Sequence, residues 1–328
     1  MELDKKRVII DVDTGIDDAI AILFALKSPN LKVEGITTVF GNVGVEQATD
    51  NTLRVIQLAK PSYEVPVAKG AAKPLKRKLS SFSDVHGYNG LGNIELPLSR
   101  QMPVDENAED FILRKSRELK KDLIIVTLGR LTNIAHALIK DPTLATRVKQ
   151  VYVMGGAVHT TGNITPVSEA NMWGDPEAAD IVFSSGIPIT MVGLNVTRKT
   201  KMTSQHLEFL QRHCKPENRE IVSFIHNAMT FYFDFYHSNY YLMESAPVHD
   251  PLTVLVVLDP RIVKTQQMPI KIECESETCL GMTVADLRPH PEVGSPVKVC
   301  VDVNAELAIN KILAVFEGIP FKNGQVTL

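Results

Sequence analysis

The sequence has 328 residues, of which 44% are hydrophobic and 22% charged, so it can bury the core of a large α/β protein. The net charge of −3 gives no basic surface for nucleic acid or for an anionic membrane, and no apolar stretch is long enough to cross a bilayer. We therefore expect a soluble globular protein without nucleic-acid or membrane partners.

The first predicted strand ends in an acidic turn. The apolar run 8–10 predicts a buried strand, and Thr14 with Gly15 predicts the turn that ends it. Asp17 and Asp18 then open an apolar-periodic helix, which places both in its first turn. Four carboxylates crowd this junction: Asp11, Asp13, Asp17 and Asp18. Ligands of open α/β sheets bind at this carboxyl-terminal edge of the strands.

The rest of the chain alternates strand-like runs with helical periodicity. Further strands are predicted at 31–39, 65–68, 123–128, 151–154, 189–192, 269–272, 283–285 and 297–303. Helices are predicted at 45–59, 108–119, 131–139, 176–184, twice across 204–235, at 250–258 and at 305–316. This alternation predicts βαβ units. We expect one Rossmann-like α/β domain over 1–328, with a mostly parallel central sheet flanked by helices and its active site at the C-terminal edge of the strands.

Residues 69–98 lose this periodicity and form a long polar stretch around His86. A loop of this length inside a compact domain is usually functional or disordered, and we interpret it as an active-site loop.

Asp-Pro dipeptides occur four times in the chain. Asp at a helix N-cap followed by Pro is an ordinary helix start, so we interpret Asp141, Asp175 and Asp259 as capping or turn residues. Asp250 alone follows a histidine, His249, and spacing leaves its role open between a cap and a site residue.

The acidic junction favours a cation site. Crowded like charges are costly unless a cation lies among them or some are protonated. Because no Cys or His is interleaved, the oxygen ligands favour Ca²⁺ or Mg²⁺ over zinc. The alternative is that Asp17 and Asp18 only complement the helix dipole and that Asp11 only satisfies nearby backbone. Four carboxylates together favour the site.

The motif Asp11-Val12-Asp13-Thr14-Gly15-Ile16-Asp17-Asp18-Ala19 resembles the amino-terminal signature of the inosine–uridine-preferring nucleoside hydrolase family. Similar segments follow in the family's order over nearly the full chain. They are Val39-Phe40-Gly41-Asn42, His86-Gly87, Leu128-Gly129-Arg130-Leu131-Thr132-Asn133-Ile134-Ala135, Val153-Met154-Gly155-Gly156, Gly162-Asn163, Glu169-Ala170-Asn171, Asp175-Pro176-Glu177-Ala178-Ala179, Val248-His249-Asp250-Pro251 and Gly281-Met282-Thr283-Val284-Ala285-Asp286.

The resemblance implies hydrolysis of the N-glycosidic bond of ribonucleosides to free base and ribose, with Ca²⁺ as the cofactor. The implied Ca²⁺ ligands are Asp13, Asp18, the Leu128 carbonyl and Asp250. The ribose 2′ and 3′ hydroxyls and a water would complete the shell, and Asp13 would take the proton of that water.

The resemblance also implies a sugar-binding set. Its members are Asp17, Asn42, Asn163, Glu169 and Asn171, with Met154 beneath the ribose. Asp11 matches a position that supports the cluster, and the helical segment 204–245 would flank the base pocket.

This assignment agrees with the chemistry. Breaking a ribosidic C–N bond builds positive charge on the sugar, which a carboxylate-rich pocket stabilises. A metal polarises the water, and Ca²⁺ tolerates enough oxygen ligands to admit two vicinal hydroxyls. The departing base needs a proton or a hydrogen bond, for which His86 and His249 are the candidate donors.

Two positions depart from the family pattern. Ala170 stands where characterised members often carry an aromatic residue, and Tyr240 stands where some purine-active members carry Arg. Both lie on the base side, so the preferred base stays open between purine, pyrimidine and both.

Two rival functions remain. Asp11-Val12-Asp13-Thr14 also fits the nucleophile motif of haloacid-dehalogenase-type phosphatases, and Gly174-Asp175-Pro176-Glu177 superficially resembles their later metal motif. The chain could also be a non-catalytic nucleoside-binding protein on the same fold.

The expected setting is the cytoplasm. The basic residues 5–7 are followed at once by the acidic cluster, which does not resemble a signal peptide. The four cysteines show no CxxC spacing and are interpreted as reduced thiols: Cys214, Cys274, Cys279 and Cys300. The expected partner is a small-molecule ribonucleoside, and the expected assembly is a homodimer or homotetramer.

Overall fold

The first strand, β1 (Lys6–Val12), lies inside a nine-stranded sheet. Val8 and Ile10 point into one hydrophobic core and Ile9 into the other, so β1 is buried on both faces. Central parallel strands need this continuous apolar run. The computed structural model describes three stretches of the chain, residues 5–79, 84–241 and 243–317.

The other elements follow in chain order. The strands are β2 (Leu31–Thr38), β3 (Val67–Lys69), β4 (Leu123–Thr127), β5 (Gln150–Met154), β6 (Ile189–Val192), β7 (Lys201–Thr203), β8 (Ser245–Pro247), β9 (Val263–Ile272), β10 (Thr283–Ala285) and β11 (Ser295–Val303). The α-helices are α1 (Ile16–Lys27), α2 (Val45–Ala59), α3 (Ala108–Leu119), α4 (Thr132–Lys140), α5 (Leu144–Arg147), α6 (Ala170–Gly174), α7 (Pro176–Ser184), α8 (Leu194–Thr197), α9 (Ser204–His213), α10 (Arg219–Tyr240), α11 (His249–Leu258) and α12 (Ala305–Ala314).

The large sheet has the strand order β10-β9-β11-β6-β5-β4-β1-β2-β3. Neighbouring strands from β3 to β11 are parallel, and β9 runs antiparallel to both β11 and β10. After β3 the chain returns to the other side of β1 to form β4. The strand order therefore reverses between β1 and β4, which opens a ligand crevice at their carboxyl ends.

Helices cover both faces of the sheet. One core contains the apolar faces of α1, α2, α10, α11 and α12, and the other contains those of α3, α4 and α7. The predicted architecture, a mostly parallel sheet flanked by helices, is confirmed.

Several short elements were not predicted. β7 and β8 pair as a separate antiparallel sheet, and α5, α6 and α8 are single turns of four or five residues. Segments this short do not show a full hydrophobic period.

Two elements are longer than predicted. β9 begins at Val263 instead of residue 269, because residues 264–267 are exposed and lack alternation although they pair with β11. α10 continues to Tyr240 instead of ending at residue 235.

The interpretation of 69–98 as a loop agrees with its described part. Only Lys69, the end of β3, and a 3₁₀ turn at Asp84–His86 have regular structure there. Residues 80–83 of this stretch lie outside the described residues.

None of the described helices combines the length and apolar character that a bilayer-crossing segment needs. All four cysteines are free thiols in the structure.

Candidate active site

A cavity of about 240 Å³ opens at the crevice between the carboxyl ends of β1 and β4. Ten predicted site residues line it: Asp17, Asn42, His86, Leu128, Met154, Asn163, Glu169, Asn171, His249 and Asp250. Asp13 and Asp18 are buried beside it, and the Asn42 side chain donates to both. The structure therefore brings every predicted site residue to one edge of the sheet.

Three carboxylates meet beside this cavity. One oxygen from each of Asp17, Asp18 and Asp250 lies within 4.8 Å of the other two. Asp18 Oδ2 accepts a hydrogen bond from the Gly15 backbone N–H at 2.9 Å, whereas the buried Asp18 Oδ1 has no hydrogen-bond partner among the described residues. A buried oxygen without a partner needs an explanation, and a bound cation would supply it. Because the donor atoms are all oxygens, the set fits a hard divalent cation.

The electrostatics of the trio favour a cation as well. Burial, followed by the charge of Asp13, raises the pKa of Asp17 to about 7. Burial and the neighbouring carboxylates raise the pKa of Asp18 and of Asp250 well above the usual range. Protons therefore neutralise part of the cluster near neutral pH, and a divalent cation can replace them.

Asp13 pairs with the buried guanidinium of Arg130, for which no site role was predicted from the sequence. Arg130 Nη1 donates to Asp13 Oδ2 at 2.5 Å, and the Asn42 backbone N–H donates to the same oxygen at 2.8 Å. Burial raises the pKa of Asp13, and Arg130 opposes that rise. A Cβ atom at Gly41 would collide with both Asp13 Oδ2 and Arg130 Nη1, so glycine is needed for this close approach. The available signal was the place of Arg130, two residues after Leu128 at the end of β4.

Asp11 lies behind the cluster and does not line the cavity. Its Oδ1 accepts hydrogen bonds from Thr37 Oγ1 at 2.5 Å and from Asn133 Nδ2 at 2.7 Å. Burial raises the pKa of Asp11 to about 7, although these two hydrogen bonds lower it. This geometry agrees with a supporting role.

Two predicted sugar-binding residues are fixed by backbone groups. Asn171 Nδ2 donates to the Leu128 carbonyl at 2.7 Å and to the Met154 carbonyl at 3.2 Å. Glu169 caps α6, since its carboxylate accepts from the Asn171 N–H at 2.8 Å and from the Met172 N–H at 3.2 Å. It also accepts from the Gly156 N–H at 3.0 Å. The cavity wall is therefore oriented before any substrate binds.

Asn163 lies in the loop before α6. Its Oδ1 accepts a hydrogen bond from the Ala170 N–H at 3.0 Å, while no described residue bonds its Nδ2 atom. Asn163 can therefore donate to a ligand through Nδ2.

His86 is buried and electrically neutral. Its Nδ1 accepts a hydrogen bond from the Ile16 N–H at 3.1 Å, so the ring carries its proton on Nε2. Burial, followed by the charge of His249, lowers the pKa of His86 to about 3. The ring stacks on Tyr232 at a centroid distance of 5.4 Å.

His249 belongs to a chain of three polar side chains. Its Nδ1 lies 2.7 Å from Thr197 Oγ1, and its Nε2 lies 3.3 Å from the Tyr236 hydroxyl. Burial, followed by the charge of Arg198, lowers the pKa of His249 to about 3. A neutral imidazole between two hydroxyls can pass a proton from one to the other.

Tyrosines of α10 form one wall of the cavity, and only Tyr240 among them was identified from the sequence. Tyr232, Tyr236 and Tyr240 all line the cavity. Tyr236 stacks on Tyr240 at a centroid distance of 5.2 Å. Their spacing of four residues on a predicted helix was the signal that could have identified them as one face.

Three of the four Asp-Pro aspartates are capping or turn residues, as predicted. Asp175 caps α7 by accepting from the Ala178 N–H, Asp259 accepts from the Arg261 N–H, and Asp141 accepts from the Thr143 N–H. Asp250 instead joins the carboxylate trio.

Comparisons with known proteins agree on one family. The sequence model described as "Inosine-uridine preferring nucleoside hydrolase" matches residues 8–310. Uridine nucleosidase 1 of Arabidopsis thaliana is 37% identical over 94% of this chain and 92% of its own. The inosine-uridine preferring nucleoside hydrolase of Crithidia fasciculata is 41% identical over 88% of this chain and 90% of its own. The solved structure of a purine-preferring ribonucleoside hydrolase from Gardnerella vaginalis has a TM-score of 0.88 and 35% identity, covering 95% of this chain and 98% of its own.

Removing the guanidinium of Arg130, which pairs with Asp13, tests the role of Arg130 in the cluster. Arg130→Met should destabilise the metal-free protein by about 3–5 kcal/mol, because it leaves a buried carboxylate without its partner. If a divalent cation binds the carboxylate trio, saturating Ca²⁺ should reduce this loss by adding positive charge to the same cluster. Denaturant unfolding in EDTA and in Ca²⁺ measures both values.

The control is Arg212→Met, which removes an exposed ion pair to Glu208. Its loss should stay within about 1 kcal/mol in both conditions. Equal losses for the two variants would contradict a role for Arg130 in the cluster.

Proposed function

Because the chain belongs to the inosine-uridine preferring nucleoside hydrolase family and is an N-glycosyl hydrolase of ribonucleosides, we propose that its site works with Ca²⁺ and with Asp13 as the general base. The proposed ligands are Asp13, Asp18, Asp250 and the Leu128 carbonyl. The observation that carries this proposal is that Asp18 and Asp250, two of the proposed ligands, meet with Asp17 beside the cavity, where a buried Asp18 oxygen has no hydrogen-bond partner among the described residues.

The residues around the cluster would have different roles in the reaction. Ca²⁺, when bound, supplies positive charge that polarises a water and the ribose hydroxyls. Arg130 and the Asn42 N–H hold Asp13 Oδ2. Oδ1 accepts only a longer bond of 3.3 Å from Asn42 Nδ2 among the described residues, and we assign this oxygen to take the proton. The carboxylates of the cavity stabilise the positive charge that develops on the ribose as the C–N bond breaks.

The remaining cavity residues would hold the sugar. We assign Asp17, Asn42, Asn163, Glu169 and Asn171 to the ribose hydroxyls and Met154 to the face of the ring. The bonds of Glu169 and Asn171 to backbone groups support this assignment, because side chains fixed in advance lose little entropy on binding.

The departing base would receive its proton or hydrogen bond from two neutral histidines. His249 can draw on the Tyr236 hydroxyl and on Thr197, whereas His86 offers its Nε2 proton alone. We therefore propose His249 as the principal donor and His86 as its helper.

The phosphatase alternative is wrong, since the family model and the relatives are nucleoside hydrolases. Asp175, central to the supposed later motif, is a helix cap bonded to Thr132 and to the Ala178 N–H.

Three further proposals concern organisation. Residues 1–328 would form a single domain, because one sheet takes strands from both ends of the chain. The protein would act in the cytoplasm, to be tested by fractionation, as a homodimer or homotetramer, to be tested by light scattering.

The function predicts release of free ribose from a panel that includes uridine, cytidine, inosine and guanosine. Hydrolysis of 2′-deoxynucleosides should be slower by up to ~10⁴-fold, because a site built to bond a hydroxyl rejects its absence. A reducing-sugar assay measures the hydrolysis of both kinds of substrate. Similar rates for uridine and 2′-deoxyuridine would contradict the proposed binding of the sugar hydroxyls.

The general-base proposal predicts that Asp13→Asn, which keeps the shape of the side chain, lowers kcat by at least ~10²-fold at saturating Ca²⁺.

The metal proposal predicts about one Ca²⁺ per chain in elemental analysis of the purified protein, as one oxygen-lined site implies. Chelation should abolish activity, and Ca²⁺ should restore it better than Zn²⁺. Full activity in a preparation shown to be free of metal would refute the requirement.

The leaving-group proposal predicts different effects on two substrates. His249→Ala should slow a natural nucleoside by ~10²- to 10⁴-fold, whereas p-nitrophenyl riboside should be nearly spared because its phenolate leaves unaided. Steady-state kinetics with both substrates measure the contrast. The same series with His86→Ala and the double variant separates the two histidines, and equal losses on both substrates would assign His249 a structural role.

A further inference from the structure

A second cavity of about 350 Å³ adjoins the candidate active site. Four residues line both cavities and so form a shared wall: Asn163, Tyr236, Tyr240 and His249. Asn163 belongs to the proposed sugar side of this wall and the other three to the base side. A group attached to either part of a bound nucleoside can therefore reach the second cavity.

The charge of the second cavity is opposite to that of the first. Arg198 and Lys201 line it, and its described lining contains no carboxylate. In contrast, Asp17, Glu169 and Asp250 line the first cavity. The described residues make no ion pair with either Arg198 or Lys201, whereas the neighbouring Lys199 pairs with Asp302. Two cations without a counter-charge favour an anionic ligand.

The guanidinium of Arg198 is held in place. It donates to the Thr161 carbonyl at 2.8 Å, to Thr161 Oγ1 at 2.9 Å and to the Gly162 carbonyl at 2.6 Å. These acceptors are neutral, so the bonds orient the positive charge without cancelling it. Its charge reaches the base side, where it adds to burial in lowering the pKa of His249.

We propose that the second cavity binds an anionic group carried by the substrate, an oxyanion such as a phosphate or a carboxylate. The group could be attached to the ribose 5′ position or to the base, since the shared wall touches both sides. This proposal rests on the proposed function and extends it to ribonucleosides that carry a negative charge. Arg198 would act as the fixed donor, and Lys201 would add a flexible charge.

Three substrates test this directly. Uridine is the neutral parent, uridine 5′-monophosphate adds an anion at the sugar, and orotidine adds a carboxylate to the same base. The purified Ca²⁺-loaded protein should show a higher kcat/KM for at least one of the two anionic substrates than for uridine. Mass spectrometry of the products should find ribose 5-phosphate from the first or orotate from the second, which identifies the source of the anion.

A pair of matched variants links any preference to the cavity. Lys201→Met should lower kcat/KM for the preferred anionic substrate by about 10-fold, the worth of one hydrogen bond to a charged group, and should leave uridine unchanged. Lys199→Met removes the same charge two residues away, outside the cavity, and should change none of the three rates.

The contrary outcomes are distinct. If neither anionic substrate exceeds uridine, or if Lys201→Met slows all three equally, the anion site is refuted while uridine hydrolysis still supports the proposed function. If uridine and inosine are not hydrolysed at all, the proposed function fails. Calorimetric titration of uridine 5′-monophosphate and orotidine then decides the anion site alone, and affinities no higher than that of uridine refute it.

Discussion

The burial of five carboxylates at one sheet edge is the constraint on which the rest of the site depends. Asp11, Asp13, Asp17, Asp18 and Asp250 are each at most 4% exposed. A group of this kind folds only if protons, hydrogen-bond donors or cations offset its charge. The protein uses different means along the cluster. Neutral side chains donate to Asp11, the guanidinium of Arg130 donates to Asp13, and one oxygen each of Asp17, Asp18 and Asp250 meet where a divalent ion would fit.

The sheet topology explains why these carboxylates meet. β1 contributes the turn that carries the acidic motif, β4 contributes the Leu128 carbonyl and Arg130, and α11 brings Asp250 from far along the chain. Because the strand order reverses between β1 and β4, the connections that leave these two strands run in opposite directions and open a crevice at that point. The same geometry leaves room for the histidines and tyrosines that close the cavity. The fold thus brings acidic groups, histidines and tyrosines together around one cavity.

The sequence predicted the parts of this arrangement that depend on local pattern. Periodicity identified every long strand and helix. The acidic motif, together with the family resemblance, identified twelve site residues that the structure brings together at one edge of the sheet. No role was assigned to Arg130 or Tyr236, because each acts through a contact that local pattern does not reveal. The ion pair of Arg130 spans 117 residues, and Tyr236 of α10 contacts His249 of α11 across the segment that separates the two helices. The pair β7 and β8 was missed for the same reason, since two three-residue strands gain their identity only from each other.

The two edge strands of the large sheet restrict how copies of the protein can associate. β3 and β10, the outermost strands, are only three residues long, and the Val67 carbonyl of β3 already accepts a bond from the Val104 N–H at 2.8 Å. Short or covered margins offer little free backbone for another strand, which guards against fibrous aggregation. These edges favour contacts between copies through helices or loops over extension of the sheet from one copy into the next.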